Sequence, residues 1–368
     1  MKIQGKHYRT IWVKEDDPTT IQTLDQRLLP FHFEIVDLKK PIDYEVAISD
    51  MIVRGAPLIG VAGAFGIYSA TLSPIKGRER EKYILEVAAS LKKTRPTAID
   101  LFHSVDKILR SIQEIRNPFN QAEKALELAK SMAEESIKGC KRIGENGLDI
   151  IRRVSRQKKN QPVNILTHCN AGWLACIDYG TATAPIYRAY DEGIPVHVWV
   201  DETRPRNQGS RLTAYELGEH GVPHTVIADN TGGHLMQHGL VDMVIVGTDR
   251  TSRNGDVANK IGTYLKALAA KDNNVPFYVA LPSSSIDWSI HNGIKEIPIE
   301  TRSDHEVKYI QGWNGTKLDD ILLMPYTSKA LNFGFDVTPG HLVTALITEK
   351  GICPASEEGL LELFPDQR

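Results

Sequence analysis

Cysteine is scarce in this sequence, with four residues among 368. They are Cys140, Cys169, Cys176 and Cys353, and no two of them form a C-x-x-C pair. So few cysteines in so long a chain do not indicate a disulfide framework, and their spacing does not predict a structural zinc site. A free thiol in a reducing compartment is therefore available for chemistry.

The chain also lacks an excess of charge and any long apolar run. Lysine plus arginine number 44 and aspartate plus glutamate number 46, which gives a formal net charge of −2. No net positive field would therefore attract nucleic acid or an anionic membrane. The apolar segments are short and interrupted, and the first residues, MKIQGKHYRT, contain no signal-peptide core. We expect a cytoplasmic protein that binds neither nucleic acid nor membranes.

A glycine-rich phosphate loop is missing as well. The first strand-like run of the second half of the chain is followed by HCNAGW and not by G-x-G-x-x-G. This difference disfavours a dinucleotide-binding fold with its usual phosphate loop.

Two regions of different pattern divide the chain, and its length favours two domains. Residues 1–156 are predicted to contain short strands, between Tyr8 and Pro41, followed by helices. The segment SRQKKNQP breaks the helical pattern, and residues 157–368 alternate strand-like and helix-like segments. The strand-like segments are VNILTHC, VHVWVDE, HTVIADN, VDMVIVGTD and PFYVALP. This alternation predicts an α/β fold in which the second domain is a Rossmann-like parallel sheet with helices on both faces.

Polar residues follow several of the predicted strands. In an open parallel sheet, ligands bind beyond the carboxyl ends of the strands, so we expect these residues along one edge of the sheet. They are Cys169, Asp201, Glu202, Asp229, Asn230 and Asp249.

Asp249 ends an apolar run in the stretch VGTDRTSRNGDVANKIGTY, which spans Val246–Tyr264. One interpretation is a loop or helix-capping acid. The other is a carboxyl in a partly dry cleft, whose raised pKa suits acid–base chemistry near neutral pH. The polar segment RTSRNGD, predicted to be a loop that is flexible at Gly255, is too long for a simple cap and favours the second interpretation.

Asn259 and Lys260 are predicted to lie in the first turn of the next helix. A lysine there opposes the helix dipole unless it shares an anion, such as phosphate, with the helix N-terminus. The alternative is a lysine that extends sideways into solvent. Asn259 could position a hydroxyl or a phosphate oxygen.

Cys169 lies between a strand end and a predicted helix start. A thiol in that position is expected to have a lowered pKa, whereas a buried structural cysteine is the commoner alternative. Cys176 and Cys353 are predicted to be structural. His168 points to the opposite side of the strand from Cys169 and is predicted to pack in the core.

Arg54, Arg95 and Gln208 are further candidate ligand contacts. Arg54 in RGAPLIG and Arg95 in TRPTAIDLF lie beside turn-forming and small residues, which suits bidentate contacts to phosphate or hydroxyl groups. Ordinary surface arginines are the alternative. Gln208 precedes a predicted helix start and could face the cleft.

Together, several segments resemble the methylthioribose-1-phosphate isomerase family, in order and over nearly the whole chain. They are RGAPLIG, RPTA, HCNAG, DETRP, VDMVIVG, NGDVANKIGTY and FDVTP. That family is related to the α, β and δ regulatory subunits of the translation factor eIF2B and to archaeal ribose-1,5-bisphosphate isomerase. The resemblance implies a homodimer, with an N-terminal domain of strands and helices and a Rossmann-like C-terminal domain.

The resemblance also implies isomerisation of the aldose 5-methylthioribose 1-phosphate to the ketose 5-methylthioribulose 1-phosphate in methionine salvage, without a metal or other cofactor. Asp249 is then the proton donor and Cys169 the second catalytic residue. The implied substrate contacts are Arg54, Gly55, Ala56, Arg95, Gln208, Asn259 and Lys260. The alternatives left open are isomerases of 5-deoxyribose 1-phosphate or ribose 1,5-bisphosphate, and a non-catalytic regulatory subunit.

The sequence differs from the usual family pattern at Asp100, Trp173, Arg206 and Asn207, and in the segment GTDRTSRNGD, where the family more often has GADRIAANGD. We therefore expect the lining of the pocket to differ at these places. Such differences bear on the choice between the methylthio and the 5-deoxy substrate.

Overall fold

Short strands form the first part of the computed structural model, which describes residues 1–159 and 161–367. The strands are β1 (Lys2–Ile3), β2 (Lys6–His7), β3 (Ile11–Val13), β4 (Ile21–Leu24) and β5 (Ile35–Leu38). β1 pairs with β2, and β3, β4 and β5 form an antiparallel three-stranded sheet. The short strands expected before Pro41 are confirmed.

Helices occupy the chain from residue 41 to residue 157. They are α1 (Pro41–Ser49), α2 (Ala56–Thr71), α3 (Gly77–Thr94), α4 (Ile99–Ile112) and α5 (Pro118–Gln157). The turn between α1 and α2 contains Met51 and Gly55, whose φ angles are 63° and 91°. α2 is buried along almost all its length and lies close to α4, because a Cβ atom on Gly63 would be 2.5 Å from Leu101 Cδ1.

Strands and helices alternate in the second half. Its first elements are β6 (Val163–Thr167), α6 (Ala184–Asp191), β7 (Val196–Asp201), α7 (Ala214–His220), β8 (His224–Ile227), α8 (Thr231–Gln237) and β9 (Met243–Val246). The next are β10 (Arg250–Ser252), β11 (Val257–Lys260), α9 (Thr263–Asp272), β12 (Phe277–Ala280), β13 (Ile286–Asp287), α10 (Gly293–Glu296) and α11 (His305–Lys308). The last are β14 (Tyr309–Trp313), β15 (Leu318–Leu322), β16 (Phe335–Thr338), β17 (Ala345–Thr348), β18 (Gly351–Cys353) and α12 (Glu357–Leu363).

The main sheet has seven strands in the order β18–β17–β12–β9–β6–β7–β8, and only the β17–β18 pair is antiparallel. Alternate residues of β9 face the two opposite sides of the main sheet. Met243 and Ile245 pack with residues of α5 and α6, whereas Val244 and Val246 pack with residues of α8 and α9. The predicted parallel sheet with helices on both faces is therefore confirmed.

A second, four-stranded sheet lies beyond the main one, in the order β13–β10–β11–β16. The segment predicted to be a flexible polar loop forms β10, β11 and the turn between them, and Thr251 and Ser252 are fully buried. Gly255 is in close contact, because a Cβ atom there would be 2.3 Å from the backbone of Ala355. The prediction of a flexible loop was wrong because β11 pairs with β16, almost eighty residues later in the chain.

The hydrophobic core of the main sheet draws on the whole chain. It includes Ile3 and Leu24 from the first strands, Leu29 from the turn between β4 and β5, and Ile151 from α5. The predicted boundary after residue 156 falls in the last turn of α5, and the segment SRQKKNQP contains Asn160, which lies outside the described residues. The division into domains at residues 1–156 and 157–368 stays a prediction. In the part of the chain described, no helix is both long enough and apolar enough to cross a membrane.

Candidate functional site

One cavity contains every residue that the sequence singled out for catalysis or substrate binding. It encloses about 640 Å³, part of it open to solvent, and lies beyond the carboxyl ends of β6 and β9. The predicted residues in its lining are Arg54, Gly55, Ala56, Arg95, Cys169, Gln208, Asp249, Asn259 and Lys260. The other polar strand-end residues, Asp201, Glu202, Asp229 and Asn230, lie outside this lining. The position of the cavity is the one expected for a parallel sheet, and the roles of its residues stay predictions.

Cys169 is held in a turn by its backbone. Its φ is 69°, its N–H donates to Thr203 Oγ1 at 2.9 Å, and its carbonyl oxygen accepts from Thr213 Oγ1 at 2.8 Å. Gln208 Nε2 lies 3.4 Å from the thiol. Burial raises the pKa of Cys169, although the neighbouring Lys260 opposes the rise. The expectation of a lowered pKa was wrong, because no regular helix begins directly after Cys169 and desolvation outweighs the nearby cation.

Asp249 follows β9 and is tied to β11 by its backbone, since its N–H donates to Ala258 at 3.0 Å. Burial raises the pKa of its carboxyl to about 6, although Arg95 and Lys260 act in the opposite direction. This direction agrees with the interpretation of Asp249 as an acid that exchanges protons near neutral pH.

Asn259 and Lys260 end β11 and do not begin a helix, so that prediction was wrong. α9 starts only at Thr263, whose Oγ1 accepts from Asn259 Nδ2 at 3.0 Å. The Lys260 ammonium donates to the carbonyl oxygen of Gly334 at 2.6 Å and lies 4.5 Å from the centre of the Phe335 ring. Burial lowers the pKa of Lys260. The unfavourable feature of this lysine is thus its burial, which an anion in the cavity would offset.

Arg54, Gly55 and Ala56 lie where the chain enters α2. Gly55 is required here, because its φ is 91° and a Cβ atom would be 2.3 Å from the carbonyl oxygen of Ala175. Burial and the nearby Arg206 lower the pKa of Arg54. Within residues 1–159 and 161–367, no carboxylate forms an ion pair with its guanidinium. An uncompensated cation beside a helix N-terminus is a suitable site for an anion.

Arg95 differs from Arg54 because it already has an acidic partner. Its Nε lies 3.2 Å from both carboxylate oxygens of Glu300, and both side chains are almost fully buried. Glu300 also accepts from the backbone N–H of Thr97 at 3.4 Å. Sequence analysis missed Glu300, because no local pattern marks a carboxylate that lies about two hundred residues from its partner.

Glu216 on α7 supports the turn that follows Cys169 and was also missed. Its carboxylate accepts from Asn170 Nδ2, from the N–H groups of Trp173 and Leu174 and from the Tyr187 hydroxyl, all at 2.9 to 3.0 Å. Burial raises its pKa to about 7. The sequence showed only that Glu216 lies in the predicted helical segment RLTAYEL. A helical pattern does not reveal which distant turn the side chain contacts.

Most of the places that differ from the family pattern lie outside the cavity lining, whereas Thr248 forms part of it. Asp100 accepts from Ser285 Oγ at 2.8 Å, and Arg206 pairs with Glu306 at 3.0 Å. Trp173 is buried in the core of the main sheet, and the segment 251–253 begins in β10. The expected change in the pocket lining was therefore wrong for Asp100, Trp173, Arg206 and the segment 251–253, which are engaged elsewhere.

A candidate metal cluster lies close by and is better explained as an ionic network. Atoms of His168, Asp201 and Asp229 lie within 4.8 Å of one another. However, the ammonium of Lys266 lies 3.2 Å from Asp201 Oδ2, and the oxygens of Asp229 accept the N–H groups of residues 203–204 at 2.7 and 2.8 Å. Because the carboxylates are already engaged by positive groups, this geometry does not favour a cation.

Comparisons with known proteins agree with this arrangement. Residues 52–355 match the model of the Initiation factor 2 subunit family. A methylthioribose-1-phosphate isomerase from Desulfatibacillum aliphaticivorans is 58% identical over 370 residues, which covers 100% of both chains. The chain belongs to the methylthioribose-1-phosphate isomerase family.

Two solved structures have the same fold. The crystal structure of 5-methylthioribose 1-phosphate isomerase from Pyrococcus horikoshii OT3 superposes with a TM-score of 0.83 at 36% identity and covers 98% of this chain and 97% of that one. The δ subunit of translation initiation factor eIF-2B from A. fulgidus gives a TM-score of 0.77 at 35% identity, with coverage of 98% and 100%.

Proposed function

We propose that this chain is an aldose–ketose isomerase that converts 5-methylthioribose 1-phosphate to 5-methylthioribulose 1-phosphate, a step of methionine salvage. The full-length similarity to isomerases of this substrate supports the activity. The observation that carries the proposal is the presence, in one cavity, of an acid whose pKa is about 6 and of an arginine beside a helix N-terminus that pairs with no carboxylate among the described residues. This arrangement suits acid chemistry on a phosphorylated sugar.

Asp249 is assigned to ring opening. The C1 hydroxyl of the substrate carries the phosphate, so the ring cannot open as a free hemiacetal does. An acid must assist the cleavage by donating a proton to the ring oxygen. A carboxyl whose pKa is about 6 is partly protonated near neutral pH and can supply that proton.

The phosphate is assigned to the start of α2. Arg54 supplies a guanidinium, and α2 begins at Ala56, which lines the cavity and whose N–H has no partner within the helix. Gly55 permits the tight approach of this turn to Ala175. Lys260, Asn259, Gln208 and the Glu300-bound Arg95 then contact the remaining polar groups of the sugar phosphate.

Hydrogen transfer from C2 to C1 follows ring opening. In one route a Cys169 thiolate removes the C2 proton and gives an enolate; in the other a hydride shifts directly from C2 to C1. The raised pKa of Cys169 favours the protonated thiol, which supports the hydride route. Turnover in D₂O, followed by NMR, distinguishes the routes: deuterium at C1 indicates proton transfer. Retention of hydrogen by both the wild type and Cys169→Ser supports the hydride shift.

A turnover assay with purified protein tests the activity itself. We expect conversion of 5-methylthioribose 1-phosphate to the ketose, with a higher kcat/KM than for 5-deoxyribose 1-phosphate. A preference for 5-deoxyribose 1-phosphate would reassign the substrate but not the type of reaction. A steep preference for ribose 1,5-bisphosphate would identify the chain as a ribose-1,5-bisphosphate isomerase. Absence of any ketose product would refute the proposed isomerase activity and favour a non-catalytic regulatory subunit.

We also infer that the chain acts as a homodimer. Three large side chains on one face of α9 are exposed in the single chain, namely Tyr264, Leu265 and Leu268. Apolar groups clustered on one helix face are typical of a protein–protein contact. Light scattering coupled to size-exclusion chromatography should give twice the mass of the chain, and Leu265→Glu should shift the population toward monomer. A monomeric wild type would refute this inference.

A further inference from the structure

His168 lies behind the cavity, with a hydrogen-bond acceptor at each end of its ring. Its Nδ1 is 2.9 Å from Asp201 Oδ2, and its Nε2 is 2.9 Å from the carbonyl oxygen of Ile261. A carbonyl oxygen can only accept, and an ionised carboxylate likewise only accepts. Hydrogen bonds at both ends of the ring therefore require a hydrogen on each ring nitrogen, which is the imidazolium form.

The surroundings of the ring contain the countercharges that a buried imidazolium needs. Asp201 on β7 is fully buried, and Asp229, which follows β8, lies 3.9 Å from the ring. Lys266 on α9 shares Asp201 Oδ2 at 3.2 Å. Asp336 on β16 completes the group, and its pKa, which burial raises, is lowered in part by His168 and Lys266. Three acids thus face two cations, so a charged ring is compensated.

His168 connects two segments of the proposed active site, one through the chain and one through its Nε2 atom. His168 directly precedes Cys169, and Ile261 directly follows Lys260. Gly262, the next residue after Ile261, lies close to the ring, since a Cβ atom on it would be 3.2 Å from the His168 ring. The ring therefore joins the end of β6 to the end of β11 by a direct hydrogen bond.

We propose that protonated His168 is a positioning residue, which fixes the Cys169 turn relative to the Lys260 strand end through its hydrogen bond to Ile261. The inference rests on the proposed function, in which these two residues meet one substrate. His168 is not a catalytic residue, because it does not line the cavity. The prediction of a packed core histidine was right about burial and incomplete about its role.

Two substitutions separate the two ends of the ring. In His168→Gln the amide nitrogen can take the place of Nε2 and keep the bond to Ile261, whereas in His168→Asn it can take the place of Nδ1 and keep only the bond to Asp201. We expect His168→Asn to lower kcat by about 100-fold, the effect of a misplacement of about 1 Å, and His168→Gln to lower it far less. KM should change by less than about threefold in both. His197→Gln, on β7 and outside the cavity lining, serves as the control and should leave kcat unchanged.

A second measurement does not depend on turnover. Lys260 opposes the rise in the pKa of Cys169, so release of the Lys260 segment in His168→Asn should slow alkylation of that thiol by iodoacetamide. Cys169→Ser provides the background rate of the three buried cysteines. In the wild type, ¹⁵N NMR should show hydrogen on both nitrogens of His168.

A neutral His168 ring, or equal kcat and alkylation rates in His168→Asn and His168→Gln, would overturn the inference. Loss of kcat in both variants in proportion to a lowered thermal midpoint would also overturn it, since that result indicates only a stabilising role. If the wild type has no isomerase activity, the proposed function fails, while the NMR and alkylation measurements still test the role of His168.

Discussion

Replacement of Asp249 by asparagine removes the proton that we assign to the ring oxygen and keeps the size of the side chain. General acid catalysis contributes about 10²- to 10⁴-fold to a rate, so kcat should fall by that factor. The wild type should itself lose activity in alkaline solution. With a pKa of about 6, roughly one carboxyl in ten is protonated at pH 7 and one in a hundred at pH 8. The kcat of the wild type should therefore fall about tenfold per pH unit above pH 6, if ring opening limits the rate.

The same substitution should stabilise the fold. The folded-state pKa of Asp249 is raised from 3.8 to about 6, so the folded protein binds the proton more tightly than the unfolded chain does. The contribution to stability is complete below pH 3.8 and is lost as the pH rises through 6. The loss amounts to about 3 kcal/mol, at about 1.4 kcal/mol per pH unit. Asparagine has no such loss, so Asp249→Asn should be about 3 kcal/mol more stable than the wild type at pH 8.

The measurement is a comparison of kcat and of the free energy of unfolding at about pH 5 and pH 8. At pH 5 the stability gain should shrink to about half its value at pH 8, because less of the wild-type loss has yet occurred. Asp272→Asn is the matched control, since Asp272 is an exposed carboxyl at the end of α9. An Asp249→Asn protein that is less stable than the wild type at pH 8, or one with near-wild-type kcat, would refute the reasoning.

Three further substitutions test other parts of the site. Gly55→Ala would bring a Cβ atom to 2.3 Å from the carbonyl oxygen of Ala175, so KM should rise at least about tenfold and thermal stability should fall. Gly193→Ala is the control: Gly193 also has a positive φ but lies in open space, so KM should stay unchanged. Arg54→Lys should raise KM by about tenfold with a smaller effect on kcat, because lysine cannot form the bidentate phosphate contact; an unchanged KM would contradict this role. Glu300→Gln leaves the charge of Arg95 buried and unpaired, so chemical denaturation should show a loss of about 3 kcal/mol, and wild-type stability would argue against the pair.

The main sheet could be predicted because its strands are short apolar runs separated by helical segments, and that pattern is local. The second sheet could not be predicted in the same way. Residues 257–260 lie just before α9, and the sequence pattern predicted Asn259 and Lys260 to be in its first turn. Their backbone groups instead pair with Phe335–Thr338, far along the chain. Tertiary pairing overrode the local preference, as it often does for short strands.

The candidate site was predictable in composition but only partly in its electrostatics. Residue type and position at strand ends indicated Cys169 and Asp249, and the raised pKa of Asp249 followed from the idea of a dry cleft. The pKa of Cys169 could not be predicted, because its direction depends on how deeply the turn is buried. Glu216 and Glu300 meet their partners only in the folded protein, so no spacing in the sequence reveals them.

The guanidinium of Arg54, which no carboxylate neutralises in the part of the chain that the structure describes, has a consequence for how this protein is handled. A ligand that binds only the native state raises its stability by mass action, about 2.7 kcal/mol at a concentration of 100 times Kd. If Arg54 and α2 bind the substrate phosphate as proposed, we expect inorganic phosphate or sulfate in a purification buffer to bind there and compete with substrate. Samples prepared in such buffers should melt at higher temperature and show a higher apparent KM than samples prepared in a buffer of neutral or cationic components. Buffer composition therefore belongs among the variables of every stability and kinetic comparison made on this chain.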